Sequence, residues 1–117
     1  MTHDTAPLSE PGADVSVAEA NAAVEAGAVW LLDVREQSEW DAGHAVGAHH
    51  IPLGSLGARQ DELPADADIF VVCHVGGRSR MAVDALVGAE YRAWNVAGGM
   101  VAWEAAGAPT TSARVDN

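Results

Sequence analysis

The segment Val72-Cys73-His74-Val75-Gly76-Gly77-Arg78-Ser79 holds the only cysteine of the 117-residue chain, set between an apolar run and a glycine-arginine turn. A lone cysteine is by default a small buried hydrophobe, and its surroundings decide whether it does more. Here Ile69-Phe70-Val71-Val72 reads as a buried strand that delivers Cys73 to its end, and a helical pattern resumes over Arg80 to Val87. The intervening loop contains Gly76 and Gly77, both free to take positive φ and curl the chain around the sulfur. Backbone N–H groups turned inward would form an anion-binding nest, reinforced by the positive end of the next helix and by the Arg78 guanidinium. Such a setting lowers a thiol pKa and supplies the thiolate, the nucleophilic form of cysteine. Cys73 is therefore the candidate nucleophile, and His74, Val75, Gly76, Gly77, Arg78 and Ser79 are the candidate substrate-binding loop.

Within that loop, Arg78 has two possible tasks, gripping an anion or bracing the turn by bonding carbonyls. Ser79 is expected to cap the helix and Arg80 to extend the positive field, while His74, first in the loop, is expected to face solvent. Other polar residues read as structural. Asp33 and Arg35 form a strand-end ion pair or turn anchor, and His44 anchors a turn. His49 and His50 are neighbours on a strand, so their side chains point to opposite faces, which argues against a shared metal. No metal or cofactor is expected. Trp30, Trp40, Trp94 and Trp103 read as core or core-edge residues.

The elements that must position this loop alternate in type. Ser16-Val17-Ala18-Glu19 is a capping box opening a helix with Val17, Ala20 and Val24 on one face and Gly27 at its stop. Val29 to Val34 is an apolar run too short for a helix, as expected of a strand buried on both sides of a parallel sheet. A short helix over Gln37 to Asp41, a turn at Gly43, a strand at His49 to Ile51 ended by Pro52, and a helix over Ser55 to Glu62 follow. Beyond the cysteine loop, Val83, Leu86 and Val87 mark the inner side of a helix. Ala93 to Val96 is a further strand, leading through Gly98-Gly99 into a helix over Met100 to Ala105. Strands alternating with helices predict an α/β fold, a mostly parallel sheet with helices on both faces and a ligand site at the carboxyl ends of the strands. Residues 1–13 are expected to be a disordered leader, 14–109 the folded domain and 110–117 a flexible tail.

Composition narrows the partners. The formal net charge is −11, and the six basic residues are all arginine, too few to assemble the basic face that nucleic acid needs. No stretch resembles a secretory signal or a membrane span, and a single cysteine excludes both an internal disulfide and a Cys-x-x-Cys centre. A cytoplasmic, reducing location is expected. Of the 49% hydrophobic residues, 24 are alanine, so the figure overstates the core.

Taken in order, Leu32-Asp33-Val34-Arg35-Glu36, Glu39-Trp40-Asp41-Ala42-Gly43-His44, Gly47-Ala48, Ile51-Pro52, Cys73 to Ser79 and Gly98-Gly99-Met100-Val101-Ala102-Trp103 resemble the rhodanese family of sulfurtransferases over roughly Asp14 to Pro109. The resemblance implies that Cys73 accepts a sulfane sulfur from a small anionic donor, thiosulfate or a persulfide. It would then pass the sulfur to a thiol, cyanide or protein acceptor. It further implies that the loop amides stabilise the persulfide anion, that Arg78 helps to bind the donor, and that Asp33 and Arg35 hold the family's Asp-x-Arg positions. Two other readings compete. A phosphatase or arsenate reductase also grips an oxyanion in a cysteine-to-arginine loop, but with five intervening residues rather than the four found here. A non-catalytic or carrier module docking a protein partner would have less need of an intact cysteine loop.

Overall fold

The computed structural model describes residues 9–112. Five parallel strands form one sheet: β1 (Asp14–Val15), β2 (Trp30–Asp33), β4 (His49–His50), β5 (Asp68–Val72) and β6 (Arg92–Val96), in spatial order β1-β6-β5-β2-β4. A separate antiparallel pair joins β3 (His44–Ala45) to β7 (Thr110–Thr111). The helices are α1 (Val17–Glu25), α2 (Gln37–Ala42), α3 (Leu56–Arg59), α4 (Gly77–Gly88) and α5 (Gly99–Ala105).

Strand residues alternate between two cores because successive side chains of a strand point to opposite faces. Leu31, Phe70, Val72, Trp94 and Val96 pack with Val17, Ala20 and Ala23 of α1 and with Met100 and Trp103 of α5. Leu32, Ile69, Val71, Cys73 and Ala93 pack on the other face with Leu56 of α3 and with Ala82, Val83 and Leu86 of α4. Burial on both faces explains why β2 and β5 read as unbroken apolar runs. The expected α/β architecture is thus the one observed. No helix among the described residues is long and apolar enough to cross a membrane.

Several details differ from expectation. Helix α1 opens on Ser16, whose Oγ accepts the Glu19 N–H at 3.0 Å, but Ala23 rather than Val24 completes its buried face. Helix α4 starts at Gly77, earlier than expected, with the Arg80 N–H reaching the Gly76 carbonyl at 3.0 Å. Its buried stripe is Ser79, Ala82, Val83 and Leu86, and Val87 lies outside it, exposed. The helix expected over Ser55 to Glu62 is one short α-turn between two 3₁₀ turns, in a stretch carrying Gly54 and Gly57.

The expected leader and tail lie partly outside the described residues, and their described parts are held. The Ser9 carbonyl accepts the Trp94 indole N–H, and the Gly12 N–H donates to the Ala93 carbonyl, so residues 9–13 run along β6. Thr110 and Thr111 pair with β3, and the Ser112 hydroxyl donates to the Asp41 carbonyl at 2.9 Å.

Candidate active site

Cys73 follows the last residue of β5 at the carboxyl edge of the sheet and is 1% exposed. The four residues Cys73 to Gly76 carry the chain from β5 into α4, and Gly76, at φ 117°, makes the reversal in a region of backbone space that a side chain strongly disfavours. The turn brings the Gly76 N–H to 3.1 Å from Sγ and the Ser79 hydroxyl to 3.3 Å. Burial pushes the Cys73 thiol up. The Ser79 hydroxyl and the N–H groups of Ser79, Gly76 and Arg78 outweigh it, and the net effect is a lowered pKa. The loop therefore supplies a thiolate cradle at the start of a twelve-residue helix, where the helix dipole acts in the same direction.

The other face of the loop is clamped by α5. Met100 and Val101 donate their N–H groups to the carbonyls of Cys73 and His74, at 2.7 and 3.0 Å. This requires Gly99, at φ 57°, because a Cβ there would overlap both carbonyls. The Gly98-Gly99 pair thus lets one helix start sit directly on the cysteine loop.

Of the expected loop residues, His74 and Val75 are exposed, Gly76 and Ser79 touch the sulfur, and Gly77 lies exposed in the first turn of α4 without positive φ. The expected left-handed conformation at Gly77 is corrected: the helix has already begun there. Ser79 is not the helix cap, a place held by Gly76, but a fully buried donor within the first turn. Arg78 does not bond loop carbonyls. Its guanidinium makes two parallel hydrogen bonds to Glu39 of α2, at 2.7 and 2.9 Å. Arg80 is drawn away from the loop toward Asp14, Asp84 and the Gly12 carbonyl.

Two site neighbours escaped the sequence reading. Asn95 of β6 is buried, with Oδ1 accepting the Ser79 hydroxyl at 2.5 Å and Nδ2 donating to Asp14 Oδ1 at 3.0 Å. Glu39 ties α2 to the loop through Arg78 and also accepts the Glu36 N–H at 2.9 Å. The hydrogen bond to Arg78 holds its carboxyl at about 2, against a smaller opposing effect of burial. Glu39 opens the run Glu39 to His44, but nothing local marks its contact with residue 78.

The remaining polar groups hold the rim. Asp33 and Arg35 are buried and joined by a forked ion pair with a shortest distance of 2.9 Å, and Arg35 also donates to the Gly43 carbonyl at 2.7 Å. His44 Nδ1 lies 2.8 Å from the Trp40 carbonyl and its ring stacks on Trp40. His49 stacks on Trp30, while His50 contacts Trp40 and the Arg35 carbonyl, so the two rings do take opposite sides. Trp94 and Trp103 are buried and Trp30 packs at the edge of the core, whereas Trp40, expected in or beside the core, is half-buried between the rings of His44 and His50. Among the described residues no group of three or more His, Cys, Asp or Glu side chains is arranged to hold a metal.

A family model for the rhodanese-like domain matches residues 16–106, which contain both the sheet edge and the cysteine loop. The chain belongs to the rhodanese-like family. It is 34% identical to a sulfurtransferase of Allochromatium vinosum over 82 residues, 69% of this chain and 77% of that protein. An HTH-type transcriptional regulator of Mycobacterium tuberculosis, Rv0324, is 38% identical over 107 residues, 87% of this chain and 46% of the regulator. The crystal structure of a rhodanese-related protein from Thermoplasma volcanium superposes with a TM-score of 0.79 at 28% identity, over 84% of this chain and 96% of that one. The chain spans between 28% and 46% of the length of the first curated relatives it matches. The rhodanese-like fold is therefore shared with proteins of quite different overall size.

Proposed function

We propose that this rhodanese-like chain is a sulfurtransferase in which Cys73 carries the transferred sulfur. The observation behind the reading is the pair of donors aimed at Sγ, Gly76 N–H at 3.1 Å and Ser79 Oγ at 3.3 Å, at the end of a central strand. Family membership and the name of the Allochromatium vinosum relative support sulfur transfer as the chemistry. In the first half-reaction the Cys73 thiolate attacks the outer sulfur of thiosulfate or of a persulfide. The donor's S–S bond breaks, sulfite or a thiolate leaves with the electron pair, and Cys73 becomes a persulfide. In the second, a thiol, cyanide or protein nucleophile takes the outer sulfur and the Cys73 thiolate is restored. With no second cysteine, release requires an external acceptor, and a reducing cytoplasmic setting keeps the lone thiol free.

A phosphatase would need its arginine fork turned onto a tetrahedral oxyanion, whereas here the Arg78 fork is taken by Glu39. Intact-protein mass after exposure to thiosulfate or to cysteine hydropersulfide tests the proposal. A gain of one sulfur atom, reversed by cyanide and absent in Cys73→Ser, is the expected result. No gain with either donor would overturn it.

A further inference from the structure

The distribution of charge around the loop bears on which donor reaches Cys73. Every arginine among the described residues is already paired: Arg35 with Asp33, Arg59 with Glu62, Arg78 with Glu39, Arg80 with Asp14 and Asp84, and Arg92 with Asp68. The charged and titratable side chains lining the cleft beside the loop are Glu39, Glu104, His74 and Arg35, and the Arg35 guanidinium is engaged by buried Asp33. Glu39 stays ionised far below neutral pH, since Arg78 holds it at about 2. A compact dianion such as thiosulfate would thus approach a thiolate past two carboxylates, with the Arg35 guanidinium engaged by Asp33 and both terminal nitrogens of Arg78 engaged by Glu39. A hydropersulfide, R–S–SH, meets a smaller barrier, because its reacting end carries at most one negative charge and none in the protonated form that the thiolate attacks.

Resting on the sulfurtransferase reading, we infer that Glu39 is a specificity-determining residue that withholds Arg78 from dianionic donors such as thiosulfate and commits Cys73 to hydropersulfide donors. The step balances without further reactants. The Cys73 thiolate attacks the outer sulfur of R–S–SH, the S–S bond breaks, and the R–S thiolate leaves with the electron pair. The proton stays on the transferred sulfur. The Arg78 guanidinium takes no part in that step, whereas thiosulfate transfer would require it to leave Glu39. The groups facing the thiol are the loop amides, Ser79 and, at longer range, the Arg78 charge, with Glu39 behind Arg78 and with Asn95 and Asp14 behind Ser79.

The test compares the second-order rates of sulfur loading by thiosulfate and by cysteine hydropersulfide in the wild-type chain and in Glu39→Gln. Glutamine keeps an oxygen to accept the Glu36 N–H, so α2 retains its first-turn contact. The wild type is expected to load from hydropersulfide at least tenfold faster than from thiosulfate, and the ratio of thiosulfate to hydropersulfide rates to rise about fivefold in Glu39→Gln as the fork is released. Persulfidated serum albumin as a third donor separates a protein-borne hydropersulfide from a free one, and loading by either agrees with the inference. Equal wild-type rates for thiosulfate and hydropersulfide would overturn it even if the variant failed to fold, as would a folded Glu39→Gln with an unchanged donor ratio. If neither donor loads the wild type, the sulfurtransferase reading falls, and this inference with it.

Discussion

Ser79→Ala isolates one donor of the thiolate cradle. The Ser79 hydroxyl lies 3.3 Å from Sγ and is fully buried, so water cannot take its place when it is removed. Hydrogen bonds to charged groups contribute about 1.5–3 kcal/mol. Sulfur is a weak acceptor and the distance is long, so the lower end applies. Ser79 also has a single proton, which Asn95 Oδ1 contests at 2.5 Å, and the bond from Asn95 Nδ2 to Asp14 fixes which end of that amide faces Ser79. About 1.4 kcal/mol corresponds to tenfold in an ionisation equilibrium, so the thiolate fraction below the titration midpoint should fall about tenfold. The sign follows from the opposing contributions. Burial already raises the thiol and is unchanged in the variant, while a lowering contribution is lost, so the ionisation curve moves to higher pH. The rate of alkylation by iodoacetamide against pH reads this directly, with Cys73→Ser as the unreactive control. A superimposable profile in a folded Ser79→Ala protein would refute the electrostatic account and leave Ser79 as a packing residue.

Two further substitutions test the scaffold. Gly99→Ala places a methyl group against the Cys73 and His74 carbonyls at a positive φ, and should cost about 2–3 kcal/mol of stability while slowing thiol alkylation; an unchanged urea midpoint would show that α5 does not need this close approach. Asp33→Ala strands the Arg35 guanidinium, 5% exposed, without its partner and should cost about 3–5 kcal/mol in urea unfolding, a loss under about 1 kcal/mol being incompatible with an anchoring role for the pair.

The amino-acid sequence by itself determined what local chemistry can encode. Unbroken apolar runs at Leu31-Leu32 and Ile69 to Val72 announce strands buried on both sides, and a cysteine followed by two glycines and an arginine announces a tight polar turn. Only the fold supplied the two-residue strands β1, β3 and β7, which are too short to carry any period and exist because β6 and each other offer edges to pair with. The same holds at the site. Gly76 and Ser79 lie within six residues of Cys73, so their approach to the sulfur follows from one turn of chain. Asn95 and Glu39 reach the loop across 16 and 39 residues, and their positions depend on β6 lying beside β5 and on α2 lying beside the start of α4. Arg78 shows the consequence most plainly: its type and place are local facts, but whether its charge is available to a ligand is decided by a carboxylate that only tertiary packing brings within 2.7 Å.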